Sequence, residues 1–130
     1  MMNRPTKKVV ISGILLLDKP ADISSHSALA KAKYLYQSEL YDSKKAGHTG
    51  TLDPMATGLL PICFGEATKF AQYGLNADKS YAALLSLGVK TDTADRYGQM
   101  IQRTDVPSFN QQTLDGIAKA LIGKQMQVPP

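Results

Sequence analysis

The sequence predicts an α+β fold with a mixed α/β sheet, because strand-like and helix-like segments alternate along its 130 residues. Apolar runs at residues 9–17 and 59–64 are typical of strands. Apolar residues at helical spacing follow good N-cap residues over residues 24–37 and again after Asn110. The sequence contains no repeat, heptad pattern or low-complexity tract, so one mixed domain is the simplest interpretation.

The first predicted strand covers residues 9–17 and bends or bulges at Gly13. Residues 18–22 are predicted to form a turn, and the polar residues 38–45 a mobile loop. Residues 47–54 read Gly-His-Thr-Gly-Thr-Leu-Asp-Pro and are predicted to form a glycine-hinged turn. Two glycines in four residues indicate backbone angles or close approaches that larger residues resist.

The first predicted helix is capped by Ser24 or Ser25 and ends near residue 37. Its predicted apolar face comprises Ala28, Leu29, Ala32, Leu35 and Tyr36. A short helix is expected over residues 66–73, with Glu66 near its positive N-terminal end. Between these helices, the strand at 59–64 is closed by a glycine.

Residues 80–87 are predicted to form a strand, and residues 91–98 a polar turn before a further strand at 99–104. The alternating apolar face of the first of these strands comprises Tyr81, Ala83, Leu85 and Leu87. A last helix is predicted between an Asn110 cap and a Gly123 stop. Its apolar stripe comprises Leu114, Ile117, Ala118, Leu121 and Ile122.

The composition suits a globular protein of the reducing cytosol. One cysteine, Cys63, excludes an internal disulfide framework. No stretch approaches the roughly 20 apolar residues of a membrane span. We therefore predict a cytoplasmic protein without a membrane segment.

Positive charge is concentrated in the first part of the chain. Residues 1–50 hold eight Lys or Arg against four Asp or Glu, whereas residues 51–130 hold seven of each, which gives the net charge of +4. This asymmetry indicates a polyanion near the glycine turn. A solvated basic N-terminus also explains it, and charge by itself slightly favours that interpretation.

Asp53 is the candidate reactive group of the turn, since Pro54 restricts it to extended backbone conformations. The local pattern leaves three roles open for this carboxylate: nucleophile, metal ligand, or cap of backbone N–H groups. The histidine, cysteine and acidic residues show no recognised metal-ligand spacing, so no metal is expected. Gly47 and Gly50 match the short G-x-x-G pattern of KH domains, but Pro54 disfavours the helix that pattern requires.

Residues 46–61, Ala-Gly-His-Thr-Gly-Thr-Leu-Asp-Pro-Met-Ala-Thr-Gly-Leu-Leu-Pro, resemble the catalytic signature of the TruB family of tRNA pseudouridine synthases. Further blocks resemble landmarks of the family and come in its order: residues 13–20, Ser24-Ser25, 65–69, 78–81 and 87–95. Similarity beyond residue 98 is weaker. The resemblance implies a pseudouridine-synthase-like fold, a mixed and mostly antiparallel sheet flanked by helices.

The resemblance also implies the chemistry. Family members isomerise uridine to pseudouridine at position 55 in the tRNA T-loop. Carried over, Asp53 is the nucleophile, and sequence does not choose between attack at C1′ and at C6 of the nucleotide. Tyr81 stacks on the flipped base, and His48 contacts the rearranged T-loop. No cofactor is implied, because the reaction involves neither redox change nor phosphate transfer.

The remaining residue roles implied by the resemblance are more general. The other substrate-binding residues are Gly47, Thr49 and Gly50. Lys44 and Lys45 are possible phosphate contacts, or else solvated lysines. Lys19 and Pro20 are expected to shape the site rather than react, and Asp92 and Asp95 to cap a turn. The implied partner is the tRNA T-stem-loop, with no membrane and no obligatory protein partner.

The resemblance covers the N-terminal portion of a catalytic domain, here residues 1–130. The family's later strands, the arginine that pairs with its aspartate, and its C-terminal RNA-binding domain have no counterpart in this sequence. We therefore expect these residues by themselves to be inactive. Two other readings stay open: a relative of the synthases in guide-RNA particles, and a non-catalytic RNA-binding or pairing fragment.

Overall fold

The structure, a computed structural model, describes residues 7–126. The chain divides into two compact units, Met1–Ser80 and Tyr81–Pro130. The described elements of the first unit are β1 (Val9–Val10), β2 (Gly13–Lys19), α1 (Ser25–Tyr36), β3 (Tyr41–Asp42), β4 (Ala46–His48), β5 (Gly58–Phe64), a 3₁₀ helix (Gly65–Phe70) and α2 (Ala71–Asn76). Those of the second unit are β6 (Val89–Thr91), β7 (Met100–Arg103) and α3 (Gln111–Ala120). This mixture of helices and mostly antiparallel strands confirms the predicted α+β class.

A three-stranded antiparallel sheet in the order β2-β5-β4 forms the centre of the first unit. Its central strand, β5, is buried from Leu60 onward except at the partly buried Pro61. One face of the sheet packs against α1, because Ile62 and Phe64 form a buried cluster with Leu29 and Ala32. The partly buried residues packed against this cluster are Ile11, Leu15, Leu17 and Ala46.

The first predicted strand is interrupted and also longer than expected. The interruption lies at residues 11–12, between Val10, where β1 ends, and Gly13, where β2 begins, and Gly13 itself pairs in register with Phe64. The predicted turn at residues 18–22 starts too early, because β2 continues to Lys19, whose backbone pairs with Gly58 of β5. The reversal follows this residue, and Asp22 adopts the left-handed conformation within it, with φ of 64°.

The bounds predicted for α1 are confirmed, with Ser24 and Gln37 as its caps, but its predicted apolar face is buried only over the first turns. Ser24 is the N-cap, and its Oγ accepts a hydrogen bond from Ser27 N at 3.0 Å. The first three residues of the predicted face, Ala28, Leu29 and Ala32, are buried. Leu35 is 78% exposed, and Tyr36 is covered only in part, by the ring of Phe64 at the end of β5. The last turn of α1 therefore extends beyond the buried cluster.

The prediction of a mobile loop at residues 38–45 is wrong. β3 lies within it and pairs in parallel with β1. Ser43 is 1% exposed, and its Oγ donates to Lys33 O of α1 at 2.6 Å. Hydrogen bonds to two other elements thus hold this connection, although its composition is polar.

The prediction of a glycine-hinged turn at residues 47–54 is also partly wrong. Gly47 and His48 belong to β4, so the turn begins only after them. Gly47 and Gly50 do not have left-handed backbone angles, and a Cβ atom at Gly47 would have no other atom within 4 Å. A glycine that the fold does require is Gly65, which follows β5 with φ of +56°. A Cβ atom there would overlap the carbonyl oxygen of Ile11.

The second unit has less regular structure than the sequence predicts. The prediction of a strand at residues 80–87 is wrong, since this segment pairs with no strand in the part of the chain that is described. The strand expected at 99–104 is confirmed as β7, which pairs antiparallel with β6. Asn110 caps α3 as predicted, its Oδ1 accepting from Thr113 N at 2.9 Å. The predicted apolar stripe of α3 is exposed throughout.

The turn at residues 91–98 confirms the expectation for its two aspartates. Asp92 Oδ1 accepts a hydrogen bond from Gln99 N at 2.8 Å. Asp95 Oδ1 accepts from Thr93 Oγ1 at 2.7 Å and from Tyr97 N at 2.8 Å. The Thr93 hydroxyl, followed by the Tyr97 N–H, lowers the pKa of the Asp95 carboxyl below its ordinary value. Both carboxylates therefore act as local caps.

No helix within residues 7–126 is both long enough and apolar enough to cross a membrane.

Replacing Gly65 with alanine is expected to destabilise the protein by at least about 2 kcal/mol, because the left-handed conformation and the overlap with Ile11 both penalise a side chain. Urea denaturation of both proteins measures this difference. Gly47→Ala is the matched control in the same sheet and should change the free energy of unfolding by less than about 1 kcal/mol. Equal effects of the two substitutions would contradict the assignment.

Candidate active site

Asp53 lies in the connection between β4 and β5, and its side chain is exposed. Its carbonyl oxygen accepts a hydrogen bond from Ala56 N at 3.0 Å, which closes a turn. Among residues 7–126, no side chain or backbone N–H donates a hydrogen bond to its carboxylate. The backbone rather than a side-chain contact therefore sets the position of this carboxylate.

Ser25, the first residue of α1, holds the residue before Asp53. Its Oγ accepts a hydrogen bond from Leu52 N at 2.8 Å and donates one to Leu52 O at 2.9 Å. Both backbone polar groups of Leu52 are thus satisfied by one hydroxyl, which can donate once and accept twice.

Lys19 holds the residue after Asp53. It is fully buried, and its Nζ donates to the carbonyl oxygens of Pro20 at 2.9 Å, Ile23 at 2.8 Å and Pro54 at 3.2 Å. Pro54 O also accepts from Asp22 N at 2.8 Å. Lys19 uses all three ammonium protons on carbonyls, so it shapes the loop, as expected of the Lys19-Pro20 pair.

The start of the same connection packs beneath α2. Thr49 is 7% exposed, and its N–H donates to Pro61 O at 3.0 Å. A Cβ atom on Gly74 of α2 would lie 2.6 Å from Thr49 Cβ, so glycine permits this close approach. Lys79 in turn caps α2 by donating to the carbonyls of Gly74, Leu75 and Ala77.

His48 ends β4 and is half-buried. Its Nδ1 is buried and has no hydrogen-bond partner in the described part of the chain. A buried polar atom without a partner is uncommon in folded proteins. The imidazole therefore has an unused hydrogen-bonding group beside the Asp53 connection.

The two candidate phosphate-binding lysines differ in their surroundings. Lys45 forms an exposed ion pair with Glu66 at 3.1 Å, and Lys69 also pairs with Glu66. Hydrogen bonds from Lys69, then from Lys45, lower the pKa of the Glu66 carboxyl below its ordinary value. Lys44 is exposed, and its backbone N–H is bound by Asp42 Oδ1 at 2.9 Å.

Five of the predicted site residues lie within residues 47–53, so the sequence itself already places them together: Gly47, His48, Thr49, Gly50 and Asp53. Tyr81 belongs to the second unit, and its side chain is 70% exposed. Sequence reasoning missed Gly74 and the contact of Ser25 with Leu52. Two features of the sequence could have indicated these residues. Ser25 stands next to the helix cap, and Gly74 lies inside a helix.

The described residues offer little for a metal or a small ligand. They contain no group of three or more His, Cys, Asp or Glu side chains that could hold a metal ion. Two surface pockets are lined by Lys7, Val9, Glu39, Leu40 and Tyr41, and by His26, Leu29, Ala30 and Lys33. Asp53 lines neither of them.

An exposed carboxylate on a loop clamped between two antiparallel strands defines the chain as a candidate enzyme with an open site. Residues 38–130 match the family model described as TruB family pseudouridylate synthase (N terminal domain). The chain belongs to this family, which confirms the resemblance of its motifs.

Curated relatives extend the match to the residues before 38. A protein named tRNA pseudouridine synthase B from Psychrobacter cryohalolentis is 54% identical over 98% of this chain and 35% of its own length. Proteins of the same name from Neisseria meningitidis and Chromohalobacter salexigens are 52% and 48% identical over 100% and 99% of this chain, and 40% of their own lengths. The chain thus spans between about a third and two fifths of the relatives it matches.

Replacing Lys19 with methionine is expected to lower the free energy of unfolding by at least about 2 kcal/mol, since three backbone carbonyls lose the charged donor that the buried Lys19 supplies. Chemical denaturation measures the loss. Lys31→Met, on the exposed side of α1, is the control and should stay within about 0.5 kcal/mol of the parent protein. A Lys19→Met protein as stable as the control would show that the three hydrogen bonds do not hold the loop.

Proposed function

We propose that the protein to which this chain belongs isomerises uridine to pseudouridine in tRNA, at position 55 of the T-loop. Residues 1–130 would be the N-terminal portion of its catalytic domain. The names of the family and of the relatives support the reaction. The observation that carries the proposal is the Asp53 carboxylate, which is exposed and unbonded among residues 7–126 while its backbone is held on both sides.

In this proposal Asp53 is the nucleophile. The reaction breaks the C1′–N1 bond, turns the uracil and rejoins it to C1′ through C5. A carboxylate oxygen of Asp53 can form the transient bond either to C1′, as the electron pair leaves with N1, or to C6 of the base. The C5 proton is lost and N1 gains one, so atoms and electrons balance without a redox cofactor or metal.

The clamped backbone supports this role because covalent catalysis depends on position. A misplacement of about 1 Å can cost a hundredfold in rate. Ser25 and Lys19 hold Leu52 and Pro54, the two neighbours of Asp53. Both neighbours of the carboxylate are thereby fixed through their backbone groups.

The segment before Asp53 supports an RNA-contacting role. Neither Gly47 nor Gly50 needs glycine for contacts within the described residues. Gly47 leaves open space for RNA to approach, and a Cβ atom at Gly50 would meet only Lys79 Cε at 3.8 Å. The half-buried His48 imidazole lies in the same segment, and its buried Nδ1 has no hydrogen-bond partner among the described residues. Thr49 contributes by holding the segment on α2 rather than by exposing its side chain.

Charge supports tRNA as the partner. The net charge is +4, and the entire excess lies in residues 1–50. Lys44 is the freer of the two candidate phosphate contacts, whereas Lys45 would have to exchange Glu66 for phosphate. We propose a cytoplasmic enzyme that acts on the T-stem-loop without a cofactor or an obligatory protein partner.

Asp53→Asn in the whole protein is expected to lower turnover of a T-stem-loop RNA by at least about 1,000-fold, because the amide is a poor nucleophile. Pseudouridine formation by the purified variant is the measurement. The control is Asp105→Asn, which removes the same charge from an exposed loop and should leave turnover within about twofold. An Asp53→Asn enzyme that still turns over would eliminate the nucleophile role.

Tyr81→Leu is expected to reduce kcat/KM by about 5- to 150-fold, the loss of one base stacked on an aromatic ring. Tyr81→Phe keeps the ring and should retain most of the activity. Tyr34→Leu, which removes an equally exposed tyrosine from α1, serves as the control and should have little effect. If the leucine and phenylalanine variants at position 81 behave alike, stacking is not the role of this residue.

A further inference from the structure

The Ser25 side chain makes a contact that helix capping does not explain. The cap of α1 is Ser24, whose Oγ accepts from Ser27 N. Ser25 is 2% exposed, and its hydroxyl instead reaches 27 residues along the chain to both backbone groups of Leu52. The Ser25 hydroxyl thus satisfies both the N–H and the C=O of Leu52.

We infer that Ser25 is a positioning residue for the reaction, acting on Asp53 through the backbone of Leu52. The inference rests on the proposed function and names a determinant of that same site. Ser25 itself has no contact with the Asp53 carboxylate among the described residues. It fixes the peptide that leads into Asp53.

The anchor is rigid enough for this task. Ser25 begins a 12-residue helix, which Ala28, Leu29 and Ala32 bury against the sheet. Its position is therefore fixed by the core and not by the loop. The Ser25 hydrogen bonds therefore restrain Leu52, and with it the segment that holds the exposed Asp53 carboxylate, against a helix fixed by the core.

The other clamp cannot replace this one. Lys19 Nζ and Asp22 N both bind the carbonyl of Pro54, on the far side of Asp53. Without Ser25, the N–H and C=O of Leu52 lose their partners, and of the two neighbours of Asp53 only Pro54 stays bound by another segment. The carboxylate would then sample a wider range of positions while the fold around Lys19 persists.

The test is Ser25→Ala in the whole protein, with kcat and KM measured separately on a T-stem-loop RNA. We expect kcat to fall by about 10- to 100-fold with KM changed less than about threefold, because a displaced nucleophile weakens the transition state and not RNA binding. The matched control is Ser43→Ala. Ser43 is equally buried and donates its hydroxyl to a backbone carbonyl, that of Lys33, with no contact to residues 52–54. This control should lose stability but keep kcat.

Two further variants keep the inference falsifiable if Ser25→Ala folds poorly. Ser25→Thr retains the hydroxyl and should restore most of kcat, whereas Ser25→Cys keeps the volume with a weak donor and should fall between threonine and alanine. Activities are compared at temperatures where each variant is fully folded. If Ser25→Ala matches Ser43→Ala in kcat, or threonine does no better than cysteine, the positioning role is refuted.

The proposed function is tested by Asp53→Asn in the same assay. An inactive Asp53→Asn enzyme together with a fully active Ser25→Ala enzyme would refute only the positioning role. Retained turnover by Asp53→Asn would instead refute the proposed nucleophile.

Discussion

The burial of the Lys19 ammonium is the constraint on which the arrangement around Asp53 depends. A buried charge is costly unless it is fully hydrogen-bonded. Lys19 meets this requirement with three carbonyls, of Pro20, Ile23 and Pro54. These three groups belong to the turn after β2 and to the β4–β5 connection. Satisfying one cation therefore brings together the two chain segments that build the site.

The hydrogen bonds to Leu52 and Pro54, on either side of Asp53, also help to decide between a structural and a catalytic role for its carboxylate. Aspartate in a turn usually caps backbone N–H groups, and Asp92 and Asp95 do so in this chain. In the Asp53 loop, Ser25 and Lys19 bind the backbone groups instead. The loop does not need the Asp53 carboxylate for its own stability, and this is the physical argument for assigning it to chemistry.

Local chemistry made part of the fold predictable from sequence. Ser24 and Asn110 were identifiable as helix caps because a cap depends only on the next three residues. The loop at 38–45 and the strand at 80–87 were predicted wrongly, since each depends on whether a distant strand pairs with it. Tertiary pairing overrides local pattern in both directions here. Residues 41–42, within the first segment, form β3 because they pair with β1. Residues 80–87 pair with no strand among the described residues.

The same limit applies to the site. Asp53 and Pro54 are readable as a restricted carboxylate because the proline follows directly in sequence. The residues that restrain them are not readable, because Ser25 and Lys19 act over separations of 27 and 35 residues. A serine beside a helix cap looks like a second cap, and a lysine before a proline looks like a surface charge.

The glycines show how internal packing can be separated from contact with a partner. Gly65 and Gly74 are required by the fold, the first by its backbone angle and contact with Ile11, the second by its contact with Thr49. Gly47 and Gly50 meet neither requirement within the described residues. A small residue that the fold does not require leaves surface open to an approaching backbone. Under the proposed function that backbone is RNA, and the unpartnered His48 Nδ1 lies in the same segment. The open space beside Gly47 and the unpartnered Nδ1 of His48 therefore lie in the segment proposed to receive the substrate.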